Sequence, residues 1–278
     1  MQNELNSSIG SENIPQQGQY KVIVIGETCI DKYVYGRCTR LSPEAPVPVM
    51  EYIRTETAEG MASNVRQNLL SFGVDVYLMT NELKPVKTRF VDERSNQQLM
   101  RMDEDDEVAD YGWDLPTGDT YPTNIHHHAL PLGEPFDAMI ISDYDKGFLD
   151  TEKIFELVEA FNGPVFIDSK KTKLPKKGCF IKINELEDSK LKGIYRNKIV
   201  TKGSAGAEYK GIVYPGEHVP CFDVAGAGDT FLCALVYFYL EYGTIEKAIP
   251  YANKAAAIAV QNTGTYVLSG DDIDEILL

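Results

Sequence analysis

Residues 223–230 read Asp-Val-Ala-Gly-Ala-Gly-Asp-Thr. An apolar run, residues 231–240, follows at once and is long enough for a buried helix. Gly226, Ala227 and Gly228 therefore fall at a helix N-terminus. The first backbone N–H groups of a helix have no partner within it, and the dipole there favours negative charge. Small side chains let an anion such as phosphate approach those N–H groups. Asp229 lies in the same first turn, so a carboxylate stands beside an anion site. A carboxylate that can take a hydroxyl proton, next to donors that neutralise a moving phosphoryl group, suits phosphoryl transfer to an alcohol. Two glycines at a helix start also serve as plain capping, and on these residues alone both readings stay open. The string is not a dinucleotide fingerprint, because Phe231 stands where the third glycine belongs, and no Gly-Lys-Ser/Thr follows to make a Walker loop.

The elements that must position this string come from a chain of 278 residues, 43% hydrophobic, which suits one large α/β domain with a small appendage. The net charge of −15 argues against a nucleic-acid partner. An acidic protein with anionic substrates must gather its basic residues locally. Five cysteines (Cys29, Cys38, Cys179, Cys221 and Cys233) form no Cys-x-x-Cys pair, which reads as reduced cytoplasmic thiols rather than a disulfide framework or zinc site. Residues 1–19 are polar, lack the apolar stretch of a signal peptide, and read as a disordered tail. No apolar run is long enough to cross a membrane.

Strand-like runs are expected at residues 21–25, 33–35, 47–53, 74–80, 138–142, 165–168, 180–183 and 198–201, with a hairpin formed by 86–91 and 97–102. Residues 207–213 and 218–222 suggest a second hairpin. Helices are expected at 62–71 and 151–161, and over 245–261 with a kink or restart at Pro250. Residues 103–135 are acidic and turn-rich, and no element is placed there. Alternating strands and helices argue for a mostly parallel sheet covered on both faces, whose site opens at the C-terminal strand ends. Prolines 43, 46 and 48 suggest edge strands or a separate small sheet. His126, His127 and His128 lie in the turn-rich segment without a second ligand cluster and read as exposed loop; Trp113 reads as packing.

Further motifs stand in order along the chain. Residues 36–49 read Gly-Arg-Cys-Thr-Arg-Leu-Ser-Pro-Glu-Ala-Pro-Val-Pro-Val, and 59–65 read Glu-Gly-Met-Ala-Ser-Asn-Val. Lys87-Thr88-Arg89, the run from Arg94 to Asp103, Ser142-Asp143-Tyr144-Asp145-Lys146-Gly147, Asp168-Ser169-Lys170 and Asn184-Glu185-Leu186-Glu187 follow. With the Gly-Ala-Gly-Asp string, they resemble the ribokinase-like (PfkB) carbohydrate kinases, and most closely the branch that phosphorylates D-glycero-D-manno-heptose 7-phosphate. The resemblance runs from about residue 21 to 265, with gaps, and covers the kinase half of a bifunctional enzyme; an adenylyltransferase half is not expected here.

The resemblance implies a three-layer α/β sandwich with a mostly parallel central sheet, plus a small β-sheet lid built from about 33–53 and 86–102, within a kinase domain spanning 20–278. It implies ATP and Mg²⁺ as cofactors and a sugar phosphate as acceptor. Asp229 would be the catalytic base, and the amides of Gly226, Ala227 and Gly228 the anion hole. Asp31, Gly60, Asn64, Asn96, Gln98 and Asp143 would face the sugar. Lys87, Arg89 and Arg101, on adjacent strands, would clamp the phosphate already on the substrate, since arginine offers a planar fork to phosphate oxygens; a solvated charged face is the plainer alternative. Lys170, Asn184, Thr201, Lys202, Gly203, Gly206 and Asn253 would lie on the nucleotide side, and Glu187 would hold Mg²⁺ through water. Taken alone, Asn184 and Glu187 read as a capping box. A homodimer joined through the lid is implied as well.

Two residues depart from the family pattern. Glu27 stands where Asp is usual, and Met61 replaces a glycine, which could narrow the pocket or stiffen closure. The chain is also shorter than the family near 80–85 and 189–197. Another sugar, or a trimmed relative that only binds sugar phosphate or nucleotide, remains an alternative.

Overall fold

The computed structural model describes residues 19–105, 107–108 and 136–278. In chain order the elements are β1 (Lys21–Gly26), β2 (Thr28–Leu41), β3 (Pro48–Met61), α1 (Ala62–Ser71), β4 (Asp75–Met79), β5 (Val86–Asp92) and β6 (Gln97–Glu104), then β7 (Ala138–Asp143), α2 (Thr151–Ala160), β8 (Val165–Ser169), β9 (Cys179–Asn184), α3 (Glu185–Lys190) and β10 (Lys198–Thr201). The chain ends with β11 (Ala207–Tyr209), β12 (Ile212–Tyr214), α4 (Ala227–Tyr242), α5 (Ile245–Ala259) and α6 (Gly270–Leu277). The tail, most of the acidic 103–135 segment, Trp113 and the three histidines lie outside the described residues.

The central sheet has eight strands in the order β12-β11-β10-β9-β8-β7-β1-β4. The six strands from β10 to the opposite edge at β4 pair in parallel, and β11 and β12 add antiparallel at the other edge. Both faces are covered, so its strands are continuous apolar runs. Val22, Val24, Ala138, Ile140 and Phe166 pack under α1, α4, α5 and α6. Ile23, Ile25, Met139, Ile141 and Ile167 pack on the other face with Ile154, Leu157 and Val158 of α2. This is the expected three-layer sandwich.

The second sheet has the order β3-β2-β5-β6. The chain enters it at Thr28, directly after β1, and leaves it at Met61, directly before α1. Its first two strands each run 14 residues, far longer than the stretches at 33–35 and 47–53 expected from sequence. They were foreshortened because Lys32, Arg37, Glu51, Arg54 and Glu56 break the apolar pattern; the sheet tolerates them because much of β3 faces water.

Three other local expectations are corrected. The late hairpin is β11 with β12, not residues 207–213 with 218–222. Lys210 and Gly211 both have positive φ (52° and 78°), the requirement of a two-residue hairpin turn, so the turn splits the first stretch. Residues 218–222 form no strand: Pro220 lacks a donor, and Phe222 N–H bonds to Val260 O at 2.8 Å, the end of α5. Helix α5 runs through Pro250 without restarting, held by buried Ile249, Ala252, Ala255 and Ile258. Helix α6, with a capping box between Ser269 and Asp272, was not anticipated.

Candidate active site

The C-terminal ends of β7, β8 and β9 and the starts of α3 and α4 converge on one small cavity of about 220 Å³. Gly226 caps α4 in a left-handed conformation (φ 77°), and a Cβ there would come within 2.9 Å of the Asn64 amide nitrogen. Glycine is thus required both for the turn and for the close approach of α1. Asp223 shapes the loop before the helix: its carboxylate accepts from Ala225 N–H at 3.0 Å and Gly264 N–H at 2.9 Å. Ala227 N–H donates weakly to Val224 O at 3.3 Å, so of the three small residues expected at the anion site this one already has a partner.

Asp229 is buried in the first turn of α4. One carboxylate oxygen accepts from Asn64 Nδ2 at 3.0 Å, the other from the Tyr144 hydroxyl at 2.7 Å. Burial pushes its carboxyl up to about 6, against the lowering effect of those two donors; Asp168 raises it further and Lys182 lowers it. A carboxylate in that range is ionised at neutral pH and still basic enough to take a proton. Asn64 is itself held by protein at both ends of its amide, since its Oδ1 accepts from Asn68 Nδ2 at 3.1 Å. The structure therefore gives one Asn64 N–H to Asp229.

Opposite Gly228 lies Lys182, which sequence reasoning missed. A Cβ on Gly228 would sit 2.9 Å from its ammonium. Lys182 is buried and paired with Asp168 at 2.5 Å, and the carboxylates around it hold its pKa above the usual lysine value despite burial. A buried cation thus stands at the N-terminal end of α4. Its signal in the sequence was a lone lysine inside the apolar strand Phe180-Ile181-Lys182-Ile183 of a sheet covered on both faces. Tyr144, which directly follows a strand end, is named in the sequence only as part of its motif and is given no role of its own there. Lys170 lines the same cavity, its ammonium 4.7 Å from the centre of the Tyr144 ring.

Asn184 and Glu187 line the cavity and also form the capping box of α3: Glu187 N–H donates to Asn184 Oδ1 at 2.9 Å, and Asn184 N–H to Glu187 Oε2 at 2.9 Å. The capping role of this pair thus leaves both side chains at the cavity's edge. Among the described residues, no group of three His, Cys, Asp or Glu side chains is placed to chelate a metal unaided. Thr201 ends β10, and Lys202 pairs with Glu208 at 2.5 Å. Gly203 and Gly206 flank a short 3-10 turn; Gly206 (φ 92°) has no room for a Cβ, which would meet Tyr214 O at 2.1 Å. Asn253 donates to Tyr214 O and Pro215 O, both at 3.0 Å, and so fixes the loop leaving β12.

The second sheet carries most of the remaining expected residues, and Lys87 brings it within 6.0 Å of the Tyr144 ring. Asp31 on β2 is buried and ion-paired with Arg89 on β5. Gly60, across from Cys29 on β3, has no Cβ because one would lie 2.1 Å from Asp31 Oδ2. Arg89 and Arg101 are directly opposed in the β5–β6 ladder, and Lys87 is opposed to Asp103, so the three cations share one face. Arg101 is forked onto Asp103 at 2.5 and 2.7 Å. Lys87 is buried, with its ammonium 6.0 Å from the Tyr144 ring, which connects this cluster to the base. Asn96, in the β5–β6 turn, donates to Thr263 Oγ1 at 3.1 Å, tying the second sheet to the loop after α5. Gln98 is exposed on β6 and away from these contacts. Asp143 is buried at the end of β7, accepts from Ser169 Oγ, and is pushed up to about 6 by burial and by the neighbouring Glu27 carboxylate.

Comparison with known proteins bears on family and fold. Residues 181–270 match the model of the pfkB family carbohydrate kinases. The chain is 29% identical over 304 residues to the bifunctional protein HldE of Nitratiruptor sp. and 29% identical over 309 residues to that of Campylobacter jejuni strain RM1221, in each case over 92% of this chain. It spans 64% of the length of these relatives. The fold is similar to ribokinase from Thermotoga maritima (TM-score 0.64, 15% identity, 93% of this chain and 99% of that one). It is also similar to Arabidopsis thaliana ribokinase complexed with ribose and ATP (TM-score 0.62, 16% identity, 93% and 98%). The chain thus has a ribokinase-like fold and, over residues 181–270, is similar to the pfkB family carbohydrate kinases.

Proposed function

We propose that the chain transfers the γ-phosphoryl group of ATP to the anomeric hydroxyl of D-glycero-D-manno-heptose 7-phosphate, giving the 1,7-bisphosphate and ADP. The observation that carries this reading is Asp229: a buried, two-point-held carboxylate at the N-terminus of α4, with a cationic second sheet on one side and Lys182 and Lys170 on the other. The similarity to HldE favours the heptose phosphate among sugar acceptors.

In this reading Asp229 takes the hydroxyl proton as the acceptor oxygen bonds to phosphorus and the bond to the β-phosphate oxygen breaks. The amides of Gly226 and Gly228, helped by Ala227, and the Lys182 ammonium stabilise charge on the transferred group. Asp31, Gly60 and Asp143 border the sugar, and Lys87, Arg89 and Arg101 meet its distal phosphate. Lys170, Asn184, Thr201, Lys202, Gly203, Gly206 and Asn253 lie on the nucleotide side. The oxygen-only donors of Asn184 and Glu187 suit Mg²⁺ held through water, which would neutralise phosphate charge. The second sheet acts as a lid. Its outer face carries exposed Leu41, Val47, Tyr52 and Met100, and two such faces pair in a homodimer in the cytoplasm.

ADP release with Mg-ATP and the heptose 7-phosphate, beside ribose, fructose 6-phosphate and an Asp229→Asn control, tests the reading. Turnover of the heptose phosphate alone, lost in the control, is the expected result. Turnover of another sugar would keep the chemistry and discard the substrate. ATP binding without turnover of any sugar would leave a binding relative.

A further inference from the structure

Glu27 lies between β1 and β2 and is fully buried. Both of its carboxylate oxygens are used on one loop: Oε2 accepts from Tyr144 N–H at 2.8 Å and Oε1 from Lys146 N–H at 3.0 Å. Its own carbonyl accepts from Ala62 N–H at 2.9 Å, at the start of α1. One residue thus joins the root of the second sheet, the helix that carries Asn64, and the loop that carries Tyr144. Fixing two peptide planes, at 144 and 146, fixes the direction in which the Tyr144 side chain leaves the backbone. That side chain ends on Asp229 at 2.7 Å, and its ring has Lys87 near it at 6.0 Å and Lys170 at 4.7 Å.

We infer that Glu27 is a positioning residue for the reaction: its carboxylate sets the backbone of residues 144–146 so that the Tyr144 hydroxyl stays on Asp229, orienting that base and favouring its ionised form. This rests on Asp229 being the base. Reach explains why the longer acid stands here. An aspartate would fall about 1.5 Å short, one carbon–carbon bond, and could not serve both amides from the same backbone position.

The charged and titratable groups facing Asp229 are Tyr144 from the loop after β7, Asp168 from β8, Lys182 from β9, Cys29 from β2 and Cys233 from α4 itself. Asn64 on α1 adds a neutral donor. Glu27 acts on Asp229 through Tyr144, and the sign of its effect separates this from direct charge. Losing a negative charge nearby would ease ionisation of Asp229, whereas loosening the Tyr144 hydroxyl hinders it.

The test is an NMR titration of the full chain with ¹³C-carboxyl aspartate, the Asp229 signal being assigned by its loss in Asp229→Asn. Tyr144→Phe, which keeps the ring, is expected to raise the Asp229 midpoint by about one unit. Glu27→Gln, which replaces one acceptor by a donor, should raise it in the same direction by less, and should add nothing in the Tyr144→Phe background. The acid limb of ADP release should move in the same order for whichever acceptor the unaltered chain phosphorylates. A midpoint that stays put in Tyr144→Phe, that falls in Glu27→Gln, or that rises equally in both backgrounds overturns the inference. Should Glu27→Gln not fold, Glu27→Asp keeps the charge and removes the reach, and the same upward shift is required of it. If no acceptor is phosphorylated, the proposed function fails, while the titration still decides the role of Glu27.

Discussion

The two sheets solve opposite problems. The central sheet is buried on both faces, and Val22, Ile23, Val24 and Ile25 have no exposed surface at all. The second sheet exposes every residue of β6 and most of β3. The first is held by apolar burial, worth about 25 cal/mol for each Å² removed from water. The second is held by its ladder and by ion pairs such as Asp31–Arg89, Arg54–Glu93 and Arg101–Asp103, of which only the first is largely shielded from solvent. Asp229, the proposed base, sits on the buried side of this division, and the cations proposed to meet the sugar phosphate sit on the other. A change near the base should therefore act on rate, and a change in the second sheet on acceptor binding.

The largest effect expected is that of Asp229→Asn. Removing the general base should lower kcat by about 10²–10⁴-fold while nucleotide affinity, followed by calorimetry, stays close to its original value. The same change should raise the melting temperature. Burial holds this carboxyl near 6, above its unfolded value, so the folded state loses stability as pH rises from about 4 through 6, and the amide has no such cost. A melting curve unchanged by the substitution at pH 8 would contradict the burial argument.

Next comes Gly60→Ala. Its methyl would meet Asp31 Oδ2 at 2.1 Å, against side chains already packed, so the β2–β3 ladder must shift. A loss of stability of about 1–3 kcal/mol is expected, with KM for the sugar phosphate rising more than KM for ATP. Equal rises in both would mean that the sheets are not functionally separate.

A pH profile sharpens the comparison on the buried side. Turnover should fall as pH drops through about 6, because Asp229 then takes a solvent proton and is lost as a base. Asp143 titrates in the same range, and Asp143→Asn should leave this limb in place if Asp229 sets it.

The smallest effect is expected at Met61, the joint between the two sheets. It holds φ 58° and ψ −132°, a conformation natural to glycine, and is nonetheless buried. Met61→Gly should release about 1–3 kcal/mol of strain and lose about as much burial, leaving chemical denaturation nearly unchanged. A large loss of stability would show that the side chain, not the backbone, matters here.

The same contrast governs how much was legible in the sequence. The central strands were readable because a doubly covered sheet writes unbroken apolar runs, such as Val22–Ile25 and Met139–Ile141. The glycine-rich start of α4 was readable because its chemistry is local: small residues, a carboxylate, then an apolar helix. The length of β2 and β3 was not readable, because a strand facing water tolerates lysine and glutamate. Nor were the couplings of Asp31 to Arg89, Asn64 to Asp229, or Glu27 to Tyr144, each of which joins residues far apart in sequence and depends on which strand lies beside which. Met61 could be flagged as unusual in its motif, but its positive φ appears only in the backbone.

The paired state of the cations carries a consequence for ligand exchange. Arg89, Arg101, Lys171, Lys182 and Lys202 each hold a carboxylate of the protein's own. A phosphate entering the site must therefore compete with tethered counterions rather than release dissolved ones. Dissolved ions leave with an entropy gain that shrinks as salt is added, which makes ordinary polyanion binding steeply salt-dependent. Tethered ions stay behind and gain only side-chain freedom. Phosphate ligands should thus bind this acidic protein with a shallow dependence on ionic strength.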